Sequence, residues 1–487
     1  MAMIVSKLLI HFFIHEDTRR RTKKEDWRLN LVASFFVKLR VSWWMKKLFV
    51  LLALILFVTP LFAQRQRPKL LQPQHSKYAG RILLIPYDGR PVSWKLPRMV
   101  AHITDYEIIY PPRELLGDAT NALDADRVIE WAKKQDYEQL NGVIVSLDAL
   151  AGWTGEAKPE QAKARLAFVN WVRQRKPDLP IYGFTQKARD EISSLVFDDL
   201  LIEPDGNEAA YLLVARFLHR TYQRPLKILP VASAEYPAPV LQALTRKIEA
   251  VGGQLVTSGK ADLFLFLHMP NTDATKQANF AEALAKAIAA GYYVALADVS
   301  GNAEPLIAIL REHKQLDLLQ AYSATPEPEI AIGKALAQCS ARLIAAKVLR
   351  TSLEIDQLRR AERAQVELMV TRYLEDWGYA SKVRTLLETH VREQLKADPG
   401  QLGTATEAAE TFLNHEIKLL AEELFRSQFR YNLHSVKLGD GTRVNFQVEL
   451  LQRCKARLPW QHTAEIELDI GIHLPMLVGI NPYPARR

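Results

Sequence analysis

The sequence contains very little cysteine. Cys339 and Cys454 are the two cysteines among 487 residues, and neither has a metal-ligand spacing around it. Such a composition disfavours a disulfide scaffold and a structural zinc site. We expect two buried free thiols, with a disulfide between them in an oxidising compartment as the alternative.

Several catalytic motifs are also missing. The chain has no phosphate-cradling glycine loop, no GxSxG nucleophile turn and no HExxH pair. Their absence disfavours nucleotide hydrolysis, serine esterase chemistry and zinc proteolysis. No cofactor is predicted.

A basic charge excess is absent from most of the chain. The formal net charge is +9, but 11 Lys or Arg and 4 Asp or Glu fall in residues 1–63. The rest of the chain therefore has 53 basic and 51 acidic residues. The basic isoelectric point therefore reflects the leader, and nucleic acid is not an expected partner.

The leader contains a secretory signal pattern. From Met45, two lysines precede an apolar run over 48–58, a proline and Ala63, followed by Gln64. No cysteine follows the run, which disfavours a lipoprotein. The run is shorter than the roughly 20 residues that span a bilayer, so we expect cleavage and a periplasmic or secreted protein. A membrane anchor through residues 45–63 is the alternative.

Beyond the leader, seven short apolar runs alternate with segments of helical periodicity. Continuous apolar strands separated by helices predict an α/β fold with mainly parallel, doubly wound sheets. Two lobes are favoured over an eight-fold barrel, because the polar segment 220–225 separates four strands from at least three others. A helical and β C-terminal appendage follows, with an Asp-Gly hairpin signal at 440–441. The predicted organisation is an extension from a mis-assigned start (1–44), a signal peptide (45–63), a linker (64–80), a first α/β lobe (81–224), a second α/β lobe (225–350) and a helical region with a terminal β hairpin (351–487).

Polar side chains stand just after the predicted strands. In parallel sheets, ligands bind at the carboxyl ends of strands, where loops and helix N-termini converge. The candidates for acid and base catalysis are Asp88, Asp148 and Asp298. The candidates for substrate binding are Arg90 for an anionic group, His268, Asn302, and Trp153 for stacking on a sugar ring. Hard divalent cations such as magnesium or calcium would also suit three aspartates.

Each candidate has a structural alternative. An aspartate at the end of a strand commonly caps the next helix, a lone His268 is commonly a satisfied buried histidine, and Trp153 is at least as often a core residue. The group as a whole favours a site more strongly than any one member does.

A succession of segments resembles a known family. PYDGRPVSWKLP, YPPRELLG, VSLDALAGW, PDGNEAAYLLVARFLHR, ADLFLFLHMPN, LADVSGNAEPLI, AYSATPEPEIAIGKALA and RYLEDWGYASKVR resemble, in order and spacing, the uncharacterised bacterial domain-of-unknown-function family 4127. The resemblance runs from about Arg81 to the C-terminus. It matches Asp88, Arg90, Asp148 and Asp298 to family positions and adds Glu208 and Tyr322 as substrate-binding candidates.

The sequence departs from the family pattern at several polar positions. Gly152, Trp153 and Thr154 replace a Tyr-Gly-Gly segment, Asn207 replaces an aspartate, and Thr325 to Glu327 replace a Trp-Asn-Thr segment. These differences indicate a divergent member with altered specificity or diminished activity. The family implies no assigned reaction.

Three functions remain open at this point. The first is a hydrolase-type enzyme that acts on a glycan-like or polyhydroxylated substrate. The second is a non-catalytic protein that binds a small molecule or glycan between its lobes. The third is an envelope scaffold, which would need exposed apolar stripes on the helices of residues 351–430. The sequence predicts membrane contact only through an uncleaved signal segment and does not predict an oligomeric state.

Overall fold

The computed structural model describes residues 78–118, 121–152, 158–270, 272–348, 354–439 and 441–477. The expectations for residues 1–44 and 45–63, for most of 64–80 and for Trp153 lie outside the described residues. The two lobes and the C-terminal region belong to one structural unit, Ser76–Arg487.

The first lobe is built on a parallel sheet of five strands in the order β2-β1-β3-β4-β5. Its strands are β1 (Gly80–Ile85), β2 (Tyr106–Ile109), β3 (Gly142–Ser146), β4 (Ile181–Thr185) and β5 (Asp199–Ile202). Its helices are α1 (Pro91–His102), α2 (Ala125–Lys133), α3 (Leu147–Ala151), α4 (Pro159–Arg175) and α5 (Gly206–His219).

The second lobe repeats this architecture in the strand order β10-β9-β8-β6-β7, again all parallel. Its strands are β6 (Leu226–Ala232), β7 (Gly253–Leu255), β8 (Leu263–His268), β9 (Tyr293–Asp298) and β10 (Ala321–Ala324). Its helices are α6 (Ala238–Ala250), α7 (Ala274–Ala289), α8 (Glu304–Glu312) and α9 (Pro328–Lys347). The predicted α/β fold with two doubly wound, parallel lobes is therefore confirmed.

The C-terminal region combines helices with antiparallel strands. The helices are α10 (Ile355–Arg372), a π-helical segment (Tyr373–Val383), α11 (Arg384–Glu393), α12 (Thr406–Leu424) and a second π-helical segment (Phe425–Phe429). The strands are β11 (Leu433–Lys437), β12 (Arg443–Gln447), β13 (Leu450–Arg457), β14 (Glu467–His473) and β15 (Met476–Leu477). β11 and β12 form the expected antiparallel hairpin, and β13 pairs with β14.

Alternate residues of each strand face different cores, as the pleat of a strand requires. One core lies between the two sheets and is filled by α1, α5, α6 and α9. A second covers the outer face of the first sheet with α2, α3 and α4. A third joins the outer face of the second sheet to α7, α8 and the C-terminal region. Both faces of both sheets are covered, which is why their strands read as continuous apolar runs.

Local signals explain where several helices begin. Asp124, Asp205 and Asp273 cap α2, α5 and α7 by accepting backbone N–H groups. Proline at the first position starts α1 and α4, where a missing N–H has no cost. These starts place the N-termini of α1 and α5 directly after the ends of β1 and β5.

Both cysteines are free thiols, Cys339 buried and Cys454 half-buried. Within the described ranges, no helix has the length and apolar character that crossing a bilayer requires.

Candidate functional site

Asp88 and Arg90 form an ion pair in the loop between β1 and α1. Asp88 Oδ2 accepts a hydrogen bond from Arg90 Nε at 2.8 Å, and Asp88 Oδ1 accepts one from the Arg90 backbone N–H at 2.9 Å. Ser93 Oγ lies 2.7 Å from both Asp88 Oδ1 and Asn207 Oδ1. Through this hydroxyl, the turn after β1 is connected to the start of α5.

Asp148 lies in the first turn of α3 but does not cap that helix. Ser146 is the N-cap, since its side chain accepts the Ala149 N–H. The Asp148 carboxyl is 2 % exposed and accepts hydrogen bonds from Gln186 N at 2.7 Å and Thr185 Oγ1 at 3.1 Å. Burial raises the pKa of Asp148, and these hydrogen bonds oppose the rise.

Tyr87 lies among these carboxyl groups. Burial raises the pKa of the Tyr87 phenol, and the negative charges of Asp148 and Asp88 raise it further. Its ring packs against Gly206, where an added Cβ would come within 2.5 Å of the ring. The structure therefore brings Asp88, Arg90 and Asp148 to the same edge of the first sheet. We call Tyr87, Asp88, Arg90, Asp148 and Asn207 the first-lobe group.

His268 and Asp298 form a second pair at the carboxyl edge of the second sheet. The two residues are partners in the β8–β9 register, and His268 Nδ1 lies 2.9 Å from Asp298 Oδ2. Asp298 Oδ1 accepts from the backbone N–H and the hydroxyl of Ser300 at 2.9 and 2.6 Å. Because an ionised carboxylate only accepts hydrogen bonds, Nδ1 of His268 is assigned as the donor to Asp298. Both side chains are buried.

The remaining predicted residues occupy other environments. Glu208 lies 2.6 Å from Lys247 Nζ in a buried ion-pair cluster. Asn302 is exposed, and its side chain accepts the Glu304 N–H at the start of α8. Tyr322 is fully buried and stacks on Tyr373 with ring centroids 4.6 Å apart. Trp153 lies outside the described residues.

A cavity of about 240 Å³ is lined by α1 of the first lobe, by the second lobe and by the C-terminal region. Its wall includes the end of β10, α9, the first π-helical segment and the segment before β14. We call it the interlobe cavity. Its charged lining residues are Lys95, Lys334, Arg372, Arg384, Glu375, Asp376 and Glu465.

Glu465 connects the interlobe cavity with the first-lobe group. Burial raises the pKa of Glu465, and the charge of Asp88 also raises it. Arg90, Lys334 and Arg372 oppose the rise. Burial thus outweighs these cations and keeps the pKa of Glu465 above its usual value beside the Asp88–Arg90 ion pair, and acid–base catalysis uses carboxyl groups whose pKa values differ in this way.

Trp460 lies beside Arg90, with the guanidinium carbon 5.4 Å from the ring centroid. The backbone of Trp460 and of Gln461 is left-handed, with φ of 58° and 57°. Non-glycine residues adopt this conformation rarely, at a cost of about 1–3 kcal/mol each. Residues strained in this way cluster at functional sites. The half-buried indole of Trp460 thus lies beside Arg90 in a turn of unfavourable backbone conformation.

Sequence reasoning missed Glu465, Trp460, Lys95 and Lys334. Glu465 lies two residues before β14, in a stretch whose alternation indicated only a strand. Lys95 lies on a helix that periodicity had not identified, and Lys334 on a helix far along the chain. No local signal relates residues so distant in sequence. Among the described residues, no group of three or more His, Cys, Asp or Glu is arranged to hold a metal ion.

Comparison with known proteins agrees with the resemblance seen in the sequence. Residues 82–196 and 208–469 match a family described as "Protein of unknown function (DUF4127)". A search of the curated proteins found no match. The matched segments include Asp88, Arg90, Asp148 and Glu465, whereas Asn207 falls between them. Since the match covers most of its length, the chain belongs to the DUF4127 family.

Proposed function

We propose that this protein is an exported hydrolase-type enzyme that acts on a glycan-like or other polyhydroxylated substrate where the first-lobe group meets the interlobe cavity. The observation that carries the proposal is the environment of Glu465. Its carboxyl lines the interlobe cavity, burial raises its pKa, and the Asp88–Arg90 ion pair acts on it electrostatically.

The chemistry requires two carboxyl groups in different protonation states. Glu465 donates its proton to the leaving oxygen as the glycosidic bond breaks. Asp88, a carboxylate in its ion pair with Arg90, accepts a proton from the attacking water, whose oxygen bonds to the anomeric carbon. The proton that Glu465 loses and the one that Asp88 gains balance over the cycle.

Asp148 and Asp298 have positioning roles in this proposal. Asp148 is 2 % exposed, and both of its oxygens accept hydrogen bonds that fix the turn after β4. Asp298 fixes the orientation of His268 through the bond to Nδ1. Because Asp148 and Asp298 hold other groups in place, we expect their substitution to lower turnover less than substitution of Glu465 or Asp88 does.

The test compares Glu465→Gln and Asp88→Asn with the wild type. Purified variants are incubated with cell-wall fragments and soluble polysaccharides, and new reducing ends are measured. Loss of a general acid or base lowers turnover by about 10²–10⁴-fold. Glu449→Gln, an equivalent change at a side chain that is 50 % exposed, is the matched control. Wild-type turnover by Glu465→Gln on a substrate that the wild type cleaves would refute the assignment.

The pH profile provides a second measurement. The active form of Glu465 is protonated, so activity falls as pH rises through its pKa, which lies above the usual 4.5. The falling limb should therefore lie above pH 4.5 and be lost in Glu465→Gln.

A ligand-binding protein without turnover is the second candidate. Asn207 stands where the family pattern has an aspartate, and its side chain is held by Asp205 and Ser93. Loss of a carboxyl beside the site favours binding over reaction. Calorimetry with the same fragments, followed by product analysis, separates the candidates, because a binding protein releases heat without new reducing ends.

The scaffold interpretation has weaker support. The exposed large apolar side chains described within residues 351–430 are Ile355, Leu386 and Leu419, one on each of three helices. Single exposed residues of this kind do not form an interaction stripe.

Export is part of the proposal and has its own test. Sequencing the N-terminus of protein recovered from the periplasm or medium should give Gln64, as expected from the pattern that begins at Met45. Recovery of the protein only from membranes, with residues 45–63 intact, would favour the anchored alternative.

A further inference from the structure

The interlobe cavity is lined by a half-buried cation, Lys95, that no side chain contacts as an ion pair. Lys95 Nζ donates to the carbonyl of Leu468, and no carboxylate of the described residues lies within ion-pair distance of it. Burial lowers the pKa of Lys95 to about 8, despite the more distant charges of Glu467 and Asp469. A partly desolvated ammonium that no carboxylate contacts directly can accept an anion that is not part of the chain.

Arg372 provides an independent indication. Its side chain is 5 % exposed, lines the interlobe cavity and forms ion pairs with Glu375 and Asp376. Its Nε is nevertheless buried without a hydrogen-bond partner among the described residues. A buried charged donor of this kind is expensive to leave unpaired, and a ligand oxygen would satisfy it.

Glu375 and Asp376, two of the carboxylates that line the interlobe cavity, pair with cations other than Lys95. Arg372 forms ion pairs with both of them, and Arg384 pairs outside the cavity with Glu388. Lys334 lies 3.8 Å from Asp376, which already receives Arg372. Among the described residues, Lys334 and Arg372 thus have carboxylate partners, whereas Lys95 has none within ion-pair distance and can contact a ligand.

The size of the interlobe cavity suits one sugar unit rather than a lone ion. Its volume of about 240 Å³ corresponds to about eight water molecules at roughly 30 Å³ each. The remaining wall is mostly apolar and includes Leu96, Met99, Ile330 and Ile466. A carbon skeleton can pack there while a charged substituent contacts the cations.

We propose that the interlobe cavity binds an oxyanion group, a carboxylate or a phosphate, carried by a sugar unit, with Lys95 as its principal counter-charge. This inference rests on the proposed function and deepens it, because it makes the substrate an acidic glycan. The neutral sugar ring that reacts would lie toward Asp88 and Glu465, and the acidic unit would occupy the interlobe cavity.

The charges that face Lys95 determine how binding responds to pH. Glu467 and Asp469 approach from β14, Arg98 from α1 and Arg372 from α10. Lysine is charged below its pKa, so the ammonium is present at neutral pH and is lost as pH rises through about 8. Oxyanion binding should therefore weaken between about pH 7 and pH 9, where a carboxylate or phosphate keeps its negative charge.

The experiment is calorimetric titration of the mature protein with D-glucuronate, D-glucose 6-phosphate and uncharged D-glucose. At least one of the acidic sugars should bind more tightly than glucose, and the one that does identifies the oxyanion. Lys95→Met should weaken that binding by about tenfold or more, the usual loss for a charged hydrogen bond. Lys163→Met, at an exposed position on α4, is the matched control and should bind as the wild type does.

Lys334→Met gives a second route to the same answer if Lys95→Met does not fold, as judged by circular dichroism. Absence of any preference for an acidic sugar overturns the inference, as does unchanged binding by both folded lysine variants. Glu465→Gln separates the two proposals, because it should lose turnover yet bind the acidic sugar at least as well as the wild type. If Glu465→Gln keeps its turnover while Lys95→Met loses binding, the catalytic assignment fails and the oxyanion site stands.

Discussion

Replacing Lys247 with methionine removes the positive charge from a buried cluster that joins the two lobes. Lys247 on α6 is completely buried, and its Nζ lies 2.6 Å from Glu208 Oε2 and 2.8 Å from Glu203 Oε2. Glu203 follows β5 and Glu208 lies on α5, so the cluster connects the first lobe to a helix of the second. Both glutamate side chains are 2 % exposed.

The cost of this substitution follows from the charges left behind. Methionine has a similar length and an apolar stem, so packing is largely retained and the effect is electrostatic. Removing one partner of a buried ion pair costs about 3–5 kcal/mol, because Glu208 loses its counter-charge while still excluded from water, whereas Glu203 keeps Arg246 at 3.9 Å. We expect Lys247→Met to lower the free energy of unfolding by that amount at neutral pH.

The deficit should depend on pH in a defined direction. Burial already raises the pKa of Glu208 although Lys247 opposes it, so Glu208 takes up a proton most readily once the cation is gone. A carboxyl whose pKa is raised by folding favours the folded state at low pH and loses that contribution as pH rises. The loss caused by Lys247→Met should therefore be largest near neutral pH and shrink as pH falls toward 4.5, the unperturbed value for glutamate.

Urea unfolding followed by far-ultraviolet circular dichroism measures both effects. Lys163→Met is the surface control, and Glu208→Gln combined with Lys247→Met should recover part of the loss by removing the uncompensated charge. A loss below about 1 kcal/mol, which is ordinary for any substitution, would refute the reasoning. So would a deficit of the expected size that does not change with pH.

Two further stability predictions follow from other buried contacts. Burial alone lowers the pKa of His434, but Asp317 and Glu362 outweigh it and raise the pKa to about 9. The resulting stabilisation of the folded state is about 3 kcal/mol. It should be present below pH 6.5, the pKa of histidine in the unfolded chain, and be lost as pH rises through 9. Wild-type urea unfolding should show this decline and His434→Gln should not, so a parallel pH dependence in both proteins would contradict it. Gly142→Ala would place a Cβ against the ring of Phe217, which should cost about 1–3 kcal/mol through overpacking; an unchanged urea midpoint would show that Phe217 moves freely.

Most of the strands that reasoning from sequence identified have five or more residues, and β2, with four, is the exception. All seven apolar runs form strands of the two parallel sheets. The three strands that were missed are β5, β7 and β10, which have only three or four residues each. All three are edge strands, as is β2, and a strand of three or four residues leaves few positions for a periodic signal.

The candidate site was predicted only in part. Asp88, Arg90 and Asp148 could be found because residues at the carboxyl ends of parallel strands share an edge. Glu208 could not be recognised as a structural residue, because its partner Lys247 lies on another helix and ion pairing is invisible in sequence. Glu465 and Lys95 could not be found either, since the relation between α1 and the segment before β14 arises only when the C-terminal region packs against the lobes.

The sequence by itself determined the α/β class, the parallel sheets, the hairpin near the C-terminus and the edge of the first sheet at which polar residues collect. These features depend on periodicity and turn chemistry, which are local properties of the chain. Tertiary structure alone decided which carboxyl groups are buried, which cations face them and where the interlobe cavity lies. Burial and charge pairing depend on distances between residues far apart in the chain, and those distances exist only after the layers have packed.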